Sequence, residues 1–265
     1  MWSSLRKKFI LSRGKMRRQK AMLHFPRDCT AVSRLLDEGD YEKELAGEIL
    51  RCLAGDPEIA YLDVGAYVGL LSLPVLRYRN AKVYSVEGSE KACRLLEKTR
   101  DHSPFGKRWI IQQAFVSARE GGALFHQHEG KDAVYSGLKP TGRGDTAART
   151  LQIKTSTLDS LWSAWGCPLI RVIKIDLEGA ELAALEGAFN LLQALRPVLF
   201  LEWEKQNICA HSRNESDLLE WATGSEYEVF RVPDDVPVTT VAGLKIAMEK
   251  TESFRLQPVC RFGQT

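Results

Sequence analysis

Ile59-Ala60-Tyr61-Leu62-Asp63-Val64-Gly65-Ala66-Tyr67-Val68-Gly69-Leu70-Leu71 reads as a buried strand that passes into a helix through a turn of the form Asp-x-Gly-x-x-x-Gly. Glycine at 65 and 69 removes the Cβ atoms that would hold a ligand off the backbone, and the helix start offers unpaired N–H groups to an anionic group. Eighteen residues after Gly69, closing a second strand Lys82-Val83-Tyr84-Ser85-Val86, stands Glu87. A nucleotide-binding α/β fold places at that point the acid that grips ribose hydroxyls.

The glycine spacing separates two kinds of cradle. A dinucleotide fingerprint needs Gly-x-Gly-x-x-Gly so that a pyrophosphate can sit on the backbone, whereas here Asp63 lies two residues before Gly65 and no third glycine follows at the right distance. An acid at the strand end repels a pyrophosphate but suits a ligand with an ammonium group. S-adenosylmethionine has such an amino-acid tail and no phosphate. A tight turn that binds nothing is the plain alternative, and Glu87 weighs against it.

The 265 residues, 44% hydrophobic and 27% charged, can bury a full α/β core. No uncharged apolar run approaches the roughly 18 residues of a membrane span, and Pro74 interrupts the best candidate, residues 68–76. Cys29, Cys52, Cys93, Cys167, Cys209 and Cys260 form no Cys-x-x-Cys pair and read as reduced thiols. Without a secretory-type apolar stretch after the basic start, the expected location is cytoplasmic. Residues 1–27 hold nine Lys or Arg and no acid, so the rest of this +3 chain is mildly acidic, with 28 basic against 34 acidic residues. This basic segment reads as a solvated tail; an anionic membrane surface or a nucleic acid is its alternative partner, and an Arg-rich transit segment a third reading.

Asp40 is the expected N-cap of a helix carrying Leu45, Ile49 and Leu53 on one face and closed by Gly55. Beyond the first strand the pattern predicts a helix over 68–79, a strand over 82–86, a helix over 89–99 and a strand over 109–112. Gln113 and Ala114 then fall where this architecture brings the chain near an adenine ring. Residues 123–126 read as extended, and 129–150 lack apolar periodicity, as a lid, a binding loop or a disordered segment does. The second half predicts an extended 151–155, a helix over 158–165, and a buried strand over 169–176. After Gly179 comes one helix with Leu182, Leu185, Phe189 and Leu192 on a stripe, then a strand over 198–203, a helix over 216–223, an extended 227–232 and a final strand over 243–248. The sum is α/β: a single doubly wound, mostly parallel sheet.

Lys174-Ile175-Asp176-Leu177-Glu178-Gly179-Ala180-Glu181 places polar groups at the C-terminal end of a buried strand, the edge at which open α/β sheets bind ligands. Lys174 and Asp176 share a face. A lysine in so apolar a strand needs a carboxylate partner, and a structural ion pair meets that need as well as a site does. With Leu62-Asp63-Val64-Gly65-Ala66, Val86-Glu87, Thr157-Leu158-Asp159-Ser160-Leu161 and Arg196-Pro197-Val198-Leu199-Phe200-Leu201-Glu202, this segment resembles the FkbM-type methyltransferases over about residues 58–232. Tyr67 and Gly88 depart from the Asn and Pro common there.

The resemblance implies a class I, Rossmann-like fold using S-adenosyl-L-methionine, and transfer of methyl to a hydroxyl of a small molecule, sugar or lipid-linked product. Residues 1–27 are then a basic tail, 28–57 an N-terminal helical segment and 58–265 the methyltransferase domain. The cofactor set is Asp63, Gly65, Ala66, Tyr67, Gly69, Glu87, Gly88, Gln113, Ala114 and Asp176. Asp176 is first choice as general base or acceptor-orienting group, with Glu178 and Glu202 next. His126 and His128, whose rings share one face and could form a metal pair or a base, read as a solvated edge strand, and no metal is assigned, although Asp176, Glu178 and Glu202 would suit Mg²⁺ if they converged. Competing readings are an NAD-dependent oxidoreductase, opposed by the missing glycine, an RNA ribose methyltransferase using the basic tail, and an inactive methyltransferase fold that only binds. The acceptor and the oligomeric state are not legible.

Overall fold

In the computed structural model, residues 15–18, 21–26, 42–55, 58–143 and 149–259 are described. A hairpin of β1 (Lys15–Arg18) and β2 (Ala21–His24) comes first. It is followed by α1 (Lys43–Cys52), β3 (Ala60–Val64), α2 (Ser72–Tyr78), β4 (Lys82–Glu87), α3 (Glu90–Asp101) and β5 (Trp109–Gln113). Three strands then form a separate small sheet, β6 (Phe115–Val116), β7 (Gly121–Gln127) and β8 (Arg149–Ser156), with a 3-10 turn, Gly130–Tyr135, between the last two. The second half runs α4 (Leu158–Ala164), β9 (Ile170–Ile175), α5 (Glu181–Glu186), α6 (Phe189–Leu195), β10 (Val198–Glu202), α7 (Lys205–Ala210) and α8 (Asp217–Gly224). It ends with β11 (Tyr227–Arg231), β12 (Val236–Pro237), α9 (Val241–Met248) and β13 (Ser253–Pro258).

The main sheet has the order β12-β11-β13-β10-β9-β3-β4-β5. Neighbours from β10 to β5 are parallel, and β13 lies antiparallel between β10 and β11. Every residue of β3 is buried, as expected for a parallel strand with both faces covered. Alternation along the strands divides the core. Leu62, Val64, Ile173, Ile175, Leu199 and Leu201 face Leu182, Leu185 and Leu191, while Tyr61, Val83, Val172 and Phe200 face Leu45, Ile49, Leu76 and Leu96. The chain leaves β3 toward β4 and β5 on one side and later fills β9 and β10 on the other. The gap above β3 and β9 is therefore the switch point at which such sheets bind ligands.

Four expectations need correcting. The helix after the glycine turn starts at Ser72, not at 68, because Tyr67 (φ 48°) and Gly69 (φ 86°) adopt left-handed conformations that a right-handed helix cannot contain. The single helix expected after Gly179 is two, α5 and α6, and Phe189 is 65% exposed instead of lying on a buried stripe. Gly187 packs so closely on Ser117 that a Cβ there would overlap the Ser117 carbonyl oxygen, and Asp159 accepts from the Asn190 and Leu191 amides at 2.9 Å to start α6 afresh. Residues 243–248 are helical: the Thr240 hydroxyl accepts from Gly243 N at 3.1 Å as an N-cap, and the last strand is β13.

The fourth correction concerns the basic start. Leu23, His24 and Phe25 are buried, and His24 N donates to the Thr99 hydroxyl of α3 at 2.9 Å, so this portion is packed rather than a solvated tail. The proposed N-cap Asp40 lies outside the described residues, and α1 begins after Glu42. No helix among the described residues is long and apolar enough to cross a membrane.

Candidate functional site

A cavity of about 290 Å³ opens above the C-terminal ends of β3, β4, β9 and β10, near the lower end of small-ligand pockets. Asp63, Gly65, Ala66 and Tyr67 line it from the first turn, Glu87, Gly88 and Ala114 from the next two strand ends, and Asp176, Glu178 and Glu202 from the far side. The irregular segment after β7 covers it with Tyr135, Gly137 and Arg143. The expected lid thus lies over the site.

Glu87 organises the turn. One carboxylate oxygen accepts from Tyr67 N and the other from Ser89 N, each at 2.7 Å. These bonds hold Tyr67 in a left-handed conformation that a bulky residue rarely adopts. Burial raises the Glu87 carboxyl from an ordinary 4.5 to about 7, against the pull of the two amides and of Lys174. Each oxygen keeps a second lone pair for a ligand hydroxyl.

The glycines serve the fold more directly than the sequence suggested. A Cβ on Gly65 would overlap the Asp176 carbonyl oxygen, and one on Gly69 would lie 2.8 Å from Leu96 and Trp109. Gly69 does not line the cavity; it lets the turn pack on α3 and β5. Gly88 gives way to the Phe115 ring, 2.5 Å from where its Cβ would be. Phe115 lines the cavity beside Ala114, whereas Gln113 is exposed at the end of β5 and takes no part in the lining.

Asp63 is 1% exposed and is held from behind. The Ser72 hydroxyl donates to Asp63 Oδ2 at 2.5 Å, Ser72 and Ser85 Oγ lie 2.7 Å apart, and Trp109 Nε1 donates to Ser85 Oγ at 2.8 Å. An ionised Asp63 can only accept, so the Ser72 proton points to it and the Ser85 proton to Ser72. The relay orients the carboxylate from Trp109 inward. Burial raises the Asp63 carboxyl above its usual range, and Lys174, its register partner across the β3–β9 pair, opposes that. Ser72, Ser85 and Trp109 were not anticipated as supports, since one serine in an apolar stretch carries no distinguishing pattern.

On the opposite side four carboxyl groups come together. Lys174 Nζ donates to Asp176 Oδ2 at 2.9 Å, and although burial works against its charge, Asp176, Asp63 and Glu42 keep the ammonium above its ordinary range. Glu178, left-handed at φ 52°, has an oxygen 3.6 Å from the Arg143 guanidinium; burial and Asp176 push its carboxyl up to about 8. Burial also raises Glu202 well above the usual carboxylate range, with Asp176 and Glu178 adding repulsion. Glu181 was not anticipated: its Oε1 accepts from Leu177 N and Gly179 N at 2.8 and 3.1 Å, and burial lifts it to about 7. A glutamate in a first helical turn looks from sequence like a dipole complement. Asp176 and Glu202 converge with Glu181, within 4.8 Å, and not with Glu178 as the expected triad had it; Glu178 lines the same cavity and pairs with Arg143. His126 and His128 are not in the convergent carboxylate group found among the described residues. Chemically, the cavity offers acceptors for a ligand diol at Glu87 and a lysine-held carboxyl group at Asp176 opposite it.

The family profile of the methyltransferase FkbM domain matches residues 63–227. Among solved structures the chain is similar to methyltransferase FkbM from Methylobacillus flagellatus, with 15% identity, a TM-score of 0.48, and coverage of 77% of this chain and 44% of that one. It therefore spans less than half the length of that protein. Precorrin-6y C5,15-methyltransferase from Geobacter metallireducens has 11% identity and a TM-score of 0.43 over 81% of this chain and 86% of that one. The O-methyltransferase from Bacillus cereus, solved in complex with SAH, has 12% identity and a TM-score of 0.38 over 80% and 78%. No curated protein sequence matches the chain.

Proposed function

Since the chain belongs to the FkbM methyltransferase family, we propose that it transfers the methyl group of S-adenosylmethionine to a hydroxyl of a small molecule, a sugar or a lipid-linked product. The observation that carries this reading is the placement of Glu87 on the cavity wall, tying down the Asp63–Gly69 turn while keeping acceptor capacity for a ribose diol. The residues suit the donor in two further respects. Acidic Asp63 favours a ligand with an ammonium group over a pyrophosphate, and Phe115 offers an aromatic face beside Ala114.

Held by the Gly65–Tyr67 turn and Glu87, the donor would supply an activated methyl carbon whose bond to sulfur breaks to leave a neutral thioether. The protein aligns the attacking oxygen, excludes water and takes up the hydroxyl proton. Asp176 is the base: Lys174 holds one of its oxygens and leaves the other open to the cavity, while burial and mutual repulsion push the Glu178 and Glu202 carboxyls above the usual carboxylate range. The proton of the attacking hydroxyl would pass to the Asp176 carboxylate. Tyr135 and Arg143, stacked with the guanidinium 4.7 Å from the ring centroid, close the pocket over the reacting groups.

Titration calorimetry with S-adenosylhomocysteine tests the donor site, and incubation of the protein with methyl-labelled donor and a cell extract identifies the acceptor. Heat of binding followed by an alkali-stable labelled product supports an O-methyl ether. No heat with folded protein overturns the donor reading, and binding without transfer to any acceptor favours a module that only binds.

A further inference from the structure

The acceptor side of the cavity contains a second arrangement that methyl transfer does not require. Carboxylate oxygens of Asp176, Glu181 and Glu202 lie within 4.8 Å of one another. They come from three separate places in the chain: the end of β9, the start of α5 and the end of β10. Glu181 is 1% exposed; its Oε1 is taken by two backbone amides, and its Oε2 is fully buried with no donor in reach. A buried carboxylate oxygen without a hydrogen-bond partner, on a residue grouped with two other acids, is costly unless a cation compensates it.

We propose that Asp176, Glu181 and Glu202 form a binding site for one hard divalent cation, Mg²⁺, Mn²⁺ or Ca²⁺. The donor set is all carboxylate oxygen, with no sulfur or imidazole, which selects these ions over zinc or copper. Lys174 occupies Oδ2 of Asp176, and Asn207 Nδ2 donates to Glu202 Oε2 at 3.2 Å, so each residue keeps its other oxygen for a metal. Three protein ligands leave coordination positions for water or for acceptor hydroxyls. The cation would thereby select a polyhydroxy or carbonyl-bearing acceptor and lower the pKa of a bound hydroxyl.

The test uses the full chain after treatment with a chelator, with folding checked by circular dichroism. Mn²⁺ is titrated while its free electron-spin-resonance signal is followed, and thermal unfolding is repeated with Mg²⁺, Mn²⁺ and Ca²⁺. The expected result is about one Mn²⁺ per chain, with a midpoint raised by roughly 5–10 °C at a hundredfold excess over Kd. Glu181→Gln and Glu202→Gln should each weaken Mn²⁺ binding at least tenfold, and the exposed Glu228→Gln should leave it unchanged. If Glu181→Gln does not fold, Glu202→Gln decides alone. No Mn²⁺ bound by folded wild type at millimolar concentration overturns the site, as does wild-type binding by the variants. A Glu202→Gln chain that is stabilised while no ion binds also overturns it, since shared protons then hold the cluster. Calorimetry with S-adenosylhomocysteine in chelator keeps the two readings apart: heat without Mn²⁺ binding refutes only the metal site, and Mn²⁺ binding without heat refutes only the donor site.

Discussion

Glu87→Gln separates what the fold wants at this position from what the ligand wants. The carboxyl moves from an ordinary 4.5 to about 7 on folding, mainly through burial. The folded chain therefore holds this proton more tightly than the unfolded chain, and stability is lost as pH rises from about 4.5 through 7. The gap corresponds to about 3 kcal/mol at most, and to less for the part of the carboxylate that meets the cavity. Glutamine removes the buried charge but presents one NH2 to Tyr67 N or Ser89 N, both of which now donate at 2.7 Å, at a cost of about 1–2 kcal/mol. At pH 8 the variant should thus be as stable as wild type or up to about 2 kcal/mol more stable, and its stability between pH 4.5 and 7.5 should vary less. Donor affinity should fall by about 1.5–3 kcal/mol, roughly 10- to 150-fold, through the lost charge-assisted bond. Urea unfolding across pH and calorimetry with S-adenosylhomocysteine read the two effects. A variant destabilised at pH 8 with an unchanged pH slope would show that the two amide bonds outweigh burial, and undiminished donor affinity would remove Glu87 from the ribose role.

Asp176→Asn should slow methyl transfer by about 10²–10⁴ with donor affinity within a few-fold of wild type; a collapse of donor binding would instead place Asp176 against the cofactor. Gly69→Ala forces a Cβ to 2.8 Å from Leu96 and Trp109 at φ 86°, and urea unfolding should register a loss of about 2–3 kcal/mol. Asp159→Ala removes the acceptor for Asn190 N and Leu191 N. It should lower stability by about 1–2 kcal/mol while leaving the Kd for S-adenosylhomocysteine unchanged, and a large change in that Kd would give Asp159 a role beyond starting α6.

Much of the parallel core was legible because its strands are short apolar runs bounded by glycine or an acid, and Glu87 and Asp176 stand at strand ends where a parallel sheet gathers ligands. The errors have local causes. Residues 243–248 alternate poorly and are short, so a capping threonine three residues upstream of Gly243 decided for helix. The 180–195 stretch keeps helical periodicity through Gly187, and only the close approach of Ser117 breaks it. Arg143 lies in a segment with no period at all, and its place beside Glu178 follows from how the cover folds back over the sheet.

Period, glycine placement and the acids ending apolar strands determine from the sequence alone a doubly wound sheet with a ligand edge above β3, while membership of the FkbM methyltransferase family rests on the match of residues 63–227 to the family profile. Those signals are local, acting over one strand or one helical turn. The meeting of Asp176, Glu181 and Glu202, the relay from Trp109 to Asp63 and the closure by Arg143 were decided only in the tertiary structure. Each joins segments tens of residues apart: the pairing of β9 with β10 brings Asp176 beside Glu202, and the β3–β4–β5 pairing brings Asp63, Ser85 and Trp109 into line.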